Sequence, residues 1–323
     1  MSRSIGPSLL VLVHTDGPAP AAPSARPLGR AALALEREGV PVLLGDRATG
    51  GQVHGWRATE SGWKEGALDS ISAVHDRYPS EARQRAWEDL RETLGDPLFG
   101  NPPPLTLLCK DKLRCQQFLE GVGLAVPEVE GNHRMFEQRL RDWGTAFLKP
   151  RRGSRGDGVR RVRRVGTLPP GDWILQRAVQ PPQGLAGLAL RVLVQREPRG
   201  DWWIGPAVAR RSADDPVVNA ARGAEVVLGT EAVSAACSTS VQAQSLQVAA
   251  AFAAQPGGDR VVELGLDFVV DPCGLPHLIE VNSCPRGRLL YLARHDPERW
   301  GPVHQAAVER PLRRLLALAK ARL

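Results

Sequence analysis

The sequence predicts an α/β (α+β) chain of two or three subdomains, and three observations carry that expectation. The first residues alternate strand, helix and strand; the middle holds two strands broken by glycines; and residues 263 to 282, ELGLDFVVDPCGLPHLIEVN, read as a hairpin. At 323 residues and 42% hydrophobic content, the chain is long enough to give each unit its own core.

At the N-terminus SLLVLVHT reads as a buried strand, PLGRAALALEREGV as an amphipathic helix and PVLLGD as the next strand, which together make a βαβ start. The proline-rich GPAPAAPSARP between the first strand and the helix reads as a loop. The stretch from residue 56 to about 76, opening WRATESGWKEG, ends in a further strand, and Asn101-Pro102-Pro103-Pro104 marks a join. These signals divide the chain into residues 1–100, an N-terminal α/β domain, 101–180, a lid subdomain with a glycine-rich loop, and 181–323, a C-terminal subdomain. A final helix is expected from about His304 to Leu323, where Val308, Leu312, Leu315, Leu316 and Ala319 recur at helical spacing. The chain has no internal repeat.

In the 263–282 segment, Asp271-Pro272-Cys273-Gly274-Leu275-Pro276 separates the apolar runs GLDFVV and HLIEV, as turn chemistry between strands should. Setting Asp271 opposite Pro276 places 269 opposite 278 and Asp267 opposite Glu280. Residues i and i+2 share a sheet face, so Asn282 joins Glu280, with opposed residues about 4.5 to 5.5 Å apart. Two carboxylates and an amide oxygen so arranged suit a hard divalent cation such as Mg2+, which shares its shell with nucleotide phosphates. The plainer reading, a solvated polar face, leaves two like charges opposed with nothing to neutralise them.

Basic-residue usage points the same way. The chain holds five lysines against 37 arginines, and three of the five fall in KDKLRCQQFLEGVGLAVPE and FLKPRRGSRGDGVRRV. A compact ammonium retained among so many guanidiniums is suited to grip phosphate as a point charge. The second segment reads as a strand from Ala146 to Lys149, a loop with Gly153, Gly156 and Gly158, and a strand from Val159. Such glycines let backbone amides approach phosphate oxygens beside Lys149, although no Gly-Lys-Ser/Thr opens a helix and no dinucleotide fingerprint is present.

The order of these pieces resembles the ATP-grasp superfamily of ligases over roughly residues 105 to 290: Asp111-Lys112 opening a helix, FLKP with its glycine loop, WILQRAV, LRVLVQ, then LGLDFVVD and LIEVN. The stretch LRVLVQREPRGDWWIGPAVARRSADDPVVNAARGAE resembles the YheC/YheD branch, with glutathione-synthetase-like ligases the next pattern. The resemblance implies an ATP-grasp fold preceded by an N-terminal pre-ATP-grasp domain. It also implies that Lys112 and Lys149 hold nucleotide phosphates and that Gly153, Ser154, Gly156 and Gly158 form the loop that folds over them. Backbone groups of Arg177, Ala178 and Val179, after Gln176, would meet adenine. Arg191, with Lys149, would steady the transferred phosphoryl group or an acyl phosphate. Asp267, Glu280 and Asn282 would bind two magnesium ions, or manganese in their place. The chain departs from many members in having Arg177 where a Glu is usual and Ala189-Leu190 where an acidic residue precedes the arginine, which leaves ribose recognition open.

The implied activity is ATP-dependent carboxylate–amine ligation. A carboxylate is phosphorylated by ATP, and an amine then displaces phosphate to give an amide, ADP and phosphate. Arg210, Arg211, Asn219, Arg222, Ser283 and Arg286 are the candidate substrate residues, because guanidinium forks suit an acidic or peptide-like substrate. Two alternatives stand beside this one: a nucleotide-binding assembly protein without turnover, and a nucleic-acid binder. The net charge of +7 and a basic stripe around Arg151 to Arg164 raise the latter. No helix-turn-helix, zinc-finger or ribonucleoprotein motif accompanies the charge, and aromatic content is only 5%, too low for a stacking platform. The expected partners are therefore a small-molecule or peptide carboxylate and an amine, with a homo-oligomer left open. Five cysteines without Cys-x-x-Cys spacing indicate neither zinc nor a disulfide framework, and no run reaches the about 18 apolar residues of a membrane span. A cytoplasmic protein is expected.

Overall fold

A computed structural model of the chain describes residues 6–13, 25–77, 83–153, 156–218, 223–285 and 288–322. The N-terminal unit comprises β1 (Leu9–Leu12), α1 (Ala25–Arg37), β2 (Val42–Thr49), β3 (Gln52–Thr59), β4 (Gly62–Leu68), β5 (Ala73–Asp76), α2 (Arg83–Leu94) and β6 (Leu98–Gly100). Its sheet runs β4-β3-β2-β1-β5-β6. β1 lies parallel to β2 and β5, and β5 parallel to β6, while β2, β3 and β4 form an antiparallel meander. Successive strand residues face opposite ways. Leu9 and Val11 accordingly join the core under α1, and Leu10 and Leu12 the core under α2. The βαβ start is present, but the stretch read as leading to one strand near residue 76 also contains β3 and β4. Those strands are only part-buried, with charged residues such as Arg57, Lys64 and Glu65, so they lack the apolar run that marks a core strand.

Next come α3 (Pro103–Lys110), α4 (Lys112–Gly121), β7 (Val129–Glu130), α5 (Phe136–Trp143), β8 (Ala146–Pro150), β9 (Arg160–Val162) and β10 (Trp173–Arg177). A small antiparallel sheet, ordered β7-β10-β8-β9, is covered on one side by Phe136 and Leu140 of α5, packed on Ala146, Leu148, Trp173 and Leu175. Its other side is left open.

The remainder forms β11 (Gly187–Arg196), β12 (Trp202–Ile204), β13 (Val208–Ser212), β14 (Glu225–Leu228), α6 (Gly229–Ala232), α7 (Ala235–Ala253), β15 (Glu263–Val270), β16 (Pro276–Asn282), α8 (Leu289–His295) and α9 (Pro297–Lys320). The third sheet is antiparallel, ordered β14-β13-β11-β15-β16, with β12 also on β11. Val241, Val248 and Phe252 of α7 share its core with Leu105, Cys115 and Leu119 of α3 and α4, so those two helices pack with the third sheet rather than the second.

Helix α9 reaches back to the first sheet, where Leu312, Leu315, Leu316 and Ala319 pack with Leu9, Val11 and Leu35. It starts at Pro297 instead of near His304, capped by Asp296 Oδ1, which accepts from the Arg299 amide at 3.0 Å, and it runs through Pro302 and Pro311. Each interior proline removes a backbone hydrogen bond, and burial of the leucine face offsets that loss. Among the described residues no helix is long and apolar enough to cross a membrane.

The β15–β16 hairpin needs one correction. Val270, not Asp271, faces Pro276, and Phe268 faces Leu278; a bulge between Asp267 and Phe268 then restores Asp267 opposite Glu280. Asp271 belongs to the turn itself, where its Oδ1 accepts from the amides of Cys273 and Leu275 at 2.9 and 2.8 Å. Two opposite one-residue shifts thus cancel at the acidic pair.

Candidate active site

Between the open side of the second sheet and the third sheet lies a cleft of about 200 Å³. Lys112, Lys149, Gly153, Gly156, Gln176 and Arg177 line one wall, and Arg191, Arg210, Asp267, Glu280 and Asn282 the other. Lys149 is buried on β8. Its Nζ donates to Gln176 Oε1 at 2.5 Å; Gln176 Nε2 donates to Gln116 Oε1 at 3.4 Å, and Gln116 Nε2 to Pro127 O at 2.8 Å. This amide relay aims the ammonium. Burial lowers the Lys149 pKa to about 8, with Glu280 and Asp267 opposing the shift and Lys112 adding to it. An ammonium that has given up its hydration with no full counter-charge is prepared for an anion.

Lys112 is placed by helix α4. Asp111 caps that helix, its Oδ1 accepting from the Arg114 amide at 3.2 Å, and the Arg151 fork grips both carboxylate oxygens at 2.8 Å. Burial works against ionisation of Asp111, but the Arg151 fork and the Arg114 amide hold its pKa below the ordinary value. The Lys112 amide donates to Arg151 O at 3.1 Å and its Nζ to Gly153 O at 2.8 Å, so helix start and loop are tied together. Gly153, Gly156 and Gly158 all have positive φ, 155°, 78° and 70°, a path that side-chain-bearing residues rarely follow.

On the opposite wall, Asp267 is 4% exposed. Arg191 grips it through Nε to Oδ1 at 2.7 Å and Nη2 to Oδ2 at 2.5 Å. Arg210 Nη2 adds a bond to Oδ1 at 2.9 Å, and Asn282 Nδ2 one to Oδ2 at 3.2 Å. Arg191 faces Asp267 across the β11–β15 ladder, and the neighbouring Gly265 makes the approach possible. A Cβ there would lie 2.9 Å from Arg191 Nη1 and 2.6 Å from Pro285 Cβ. Among the described residues no three His, Cys, Asp or Glu side chains gather as a metal site. A cation here would therefore depend on the Asn282 amide oxygen and on ligand oxygens beside Asp267 and Glu280. That all-oxygen donor set fits magnesium, with the Asn282 amide oxygen left over once its Nδ2 is bonded to Asp267.

Residues 165–305 match the family described as YheC/D like ATP-grasp. Among solved structures, D-alanyl-alanine synthetase A from Vibrio cholerae superposes with a TM-score of 0.57 at 13% identity, covering 94% of this chain and 98% of that one. VanG D-Ala:D-Ser ligase from Enterococcus faecalis gives 0.61 at 10% identity, covering 96% and 99%. Carboxyaminoimidazole ribonucleotide synthase from Aspergillus clavatus, solved with ATP, gives 0.62 at 13% identity, covering 97% and 77%. The chain has the ATP-grasp fold. No curated protein matches its sequence.

In this ATP-grasp fold the two lysines and the Asp267, Glu280, Asn282 trio meet in one cleft, as does Arg191. Other candidates are placed differently. Strand alternation sends Arg210 into the cleft and its neighbour Arg211 outward, where it pairs with Glu225 at 2.6 and 3.0 Å. Ser283 is buried outside the cleft lining, its carbonyl taken by Asn101 Nδ2. Gln176 turns its side chain to Lys149. Two amides of the expected hinge bond within the protein: the Arg177 amide donates to Glu128 O at 2.9 Å and the Ala178 amide to Thr145 O at 3.1 Å. Val179 lines the cleft. Ser154, Asn219, Arg222 and Arg286 lie outside the described residues. Sequence reasoning did not assign Arg288, which stands in no motif, or Arg161, which it read only as part of a basic stripe, although both line the cleft; it also missed Glu128, which pairs with Arg177 at 2.7 Å.

Proposed function

We propose that this protein is an ADP-forming carboxylate–amine ligase working through an acyl phosphate. The single observation that carries the reading is the facing of Lys112 and Lys149 across one cleft from Asp267, Glu280 and Asn282. Cations on one wall and hard oxygen donors on the other suit a metal-bound triphosphate held between them. Lys149, oriented by Gln176, and Lys112, tied to the glycine loop, would offset phosphate charge. The apolar side chains of Phe147, Val179 and Ile279 line the same cleft and suit a nucleobase.

A carboxylate oxygen of the substrate attacks the terminal phosphorus and ADP leaves, forming the mixed anhydride. An amine nitrogen then attacks the acyl carbon, the phosphate departs, and the nitrogen loses a proton to give the amide. Magnesium, held by Asp267, Glu280 and Asn282, would supply charge neutralisation at the phosphates. Arg191 is positioned to stabilise charge on the transferred group, and the glycine loop to exclude water from the anhydride.

ADP and phosphate release measured over pooled carboxylates, amino acids and dicarboxylates tests the proposal. Tight ATP binding with no release over a broad panel favours the scaffold alternative instead. Loss of Mg2+-dependent release in the Asp267→Asn, Glu280→Gln double variant is expected, and turnover near the original rate would remove the metal assignment.

A further inference from the structure

An ionised carboxylate offers about four lone-pair positions to donors. At Asp267 four donors are in place: Arg191 Nε and Arg210 Nη2 on Oδ1, Arg191 Nη2 and Asn282 Nδ2 on Oδ2. The residue proposed as a metal ligand is therefore saturated by protein donors, and a cation can join it only when one leaves. Arg191 holds two bonds to the carboxylate and sits in a space opened by Gly265. Arg210 holds a single bond to Asp267, and its Nε is buried with no hydrogen-bond partner. A buried donor without a partner is costly, so Arg210 is the least satisfied of the three residues.

We infer that Arg210 is a metal-released anion ligand: a divalent cation arriving at Asp267 displaces its guanidinium, which then takes an oxyanion in the cleft beside Arg288. The inference rests on the proposed metal role of Asp267. Its consequence is ordered assembly of the site. Without the cation, Arg210 stands in for it and the anion pocket is masked; with the cation, both Nε and Nη2 can fork onto one carboxylate or phosphoryl group. Anion and metal must then strengthen each other's binding by the same factor.

The test is Mn2+ binding to the nucleotide-free full chain, read as free Mn2+ by electron paramagnetic resonance. Arg210→Gln is expected to tighten Mn2+ about tenfold, the worth of one charge-assisted hydrogen bond. Arg288→Gln, which removes the same charge without a bond to Asp267, is expected to give a clearly smaller gain. Equal gains, or none from Arg210→Gln, overturn the inference. Acetate and sulfate serve as oxyanion probes. Tightening of Mn2+ by acetate in the wild type but not in Arg210→Gln assigns the released guanidinium to a carboxylate, and tightening by sulfate to a phosphoryl group. No tightening by either overturns the anion role. A variant-free measurement guards against misfolding: the Arg210 Nε–Hε resonance should shift saturably with Mg2+, and an unmoved resonance at saturation overturns the release. The underlying metal assignment is read separately, because Asp267→Asn should abolish Mn2+ binding. If Asp267→Asn binds Mn2+ like the wild type, that assignment fails; if it does not bind while Arg210→Gln shows no gain, only the release fails.

Discussion

Lys149 joins stability to nucleotide binding with opposite signs, and pH separates the two. Its pKa falls from 10.5 to about 8, chiefly through burial. The shift corresponds to about 3 kcal/mol of folding free energy lost while both folded and unfolded chains carry the proton. Between about pH 8 and 10.5 the unfolded chain binds more protons than the folded one, so stability rises with pH through that window. Between pH 7.5 and 9.5 this group alone should add about 2 kcal/mol. Lys149→Met removes the titration and keeps the side chain's length. Urea unfolding of wild type and variant at both pH values gives a difference of differences of about 2 kcal/mol in favour of the wild type at high pH. Nucleotide affinity should move the other way. The protonated fraction falls about 25-fold over the same interval, and apparent affinity falls with the fraction competent to bind. Equal pH responses of the two proteins in urea, or nucleotide binding that strengthens from pH 7.5 to 9.5, would refute the claim that this ammonium is buried, strained and held for phosphate.

Four further outcomes follow from the same geometry. Gly265→Ala should lower Mg2+-dependent ADP release and destabilise the fold by about 1–3 kcal/mol, because its Cβ collides with Arg191 Nη1 and Pro285; urea unfolding beside a turnover assay measures both. Arg151→Ala should weaken nucleotide binding in calorimetry, since it severs the fork that joins Asp111 to the glycine loop. Arg211→Ala should leave turnover within about twofold, its partner being the exposed Glu225 on the outer face. Gln176→Leu should reduce nucleotide affinity and move its pH profile, since Lys149 loses its acceptor, and an unmoved profile would detach Gln176 from that role.

Much of the site was legible because strand periodicity carries it. Asp267, Glu280 and Asn282 share a face by the rule that i and i+2 point the same way, and the acidic pairing survives a turn read one residue out because the bulge cancels the error. The lysines stood out through their scarcity. Arg211 could have been set aside by the same period, since Arg210 and its neighbour cannot both face inward. The pairing beside the expected hinge was not legible: β7 is two residues long and carries no apolar pattern, and Glu128 O, just before it, accepts from the Arg177 amide. The docking of α9 on the first sheet was equally hidden, since its leucine stripe announces a buried face and says nothing of which sheet, some 300 residues upstream in places, it covers. Arg288 reaches the cleft through chain geometry after β16 that no local motif encodes.

The third sheet explains why the cleft can hold charge at all. Arg191–Asp267 and Gln195–Glu263 are paired positions four residues apart on the same β11–β15 ladder, so both pairs project from one face. At the second pair Glu263 is 2% exposed, bonded to Gln195 Nε2 at 3.0 Å and to Arg77 Nη1 at 2.8 Å. Burial raises its pKa although Arg77 and Gln195 pull the other way. Asn101, at φ 55°, donates through Nδ2 to Glu263 O at 2.6 Å and to Ser283 O, and accepts from the Val262 amide at 2.9 Å. Arg77, just after β5, also donates to Pro285 O at 3.2 Å. The chain just before β15 and just after β16 is thereby fixed to the end of the N-terminal sheet on the side where β5 terminates. Buried polar networks hold geometry only when every member is satisfied, and this one is satisfied at each named group. Four residues along the same strand, Asp267 accepts from Arg210 of β13, whose Nε is buried without a partner. The start of β15 is locked while the unmet bond lies beside Asp267 on β13, which is the distribution a site needs if its frame is to stay still while its ligands exchange.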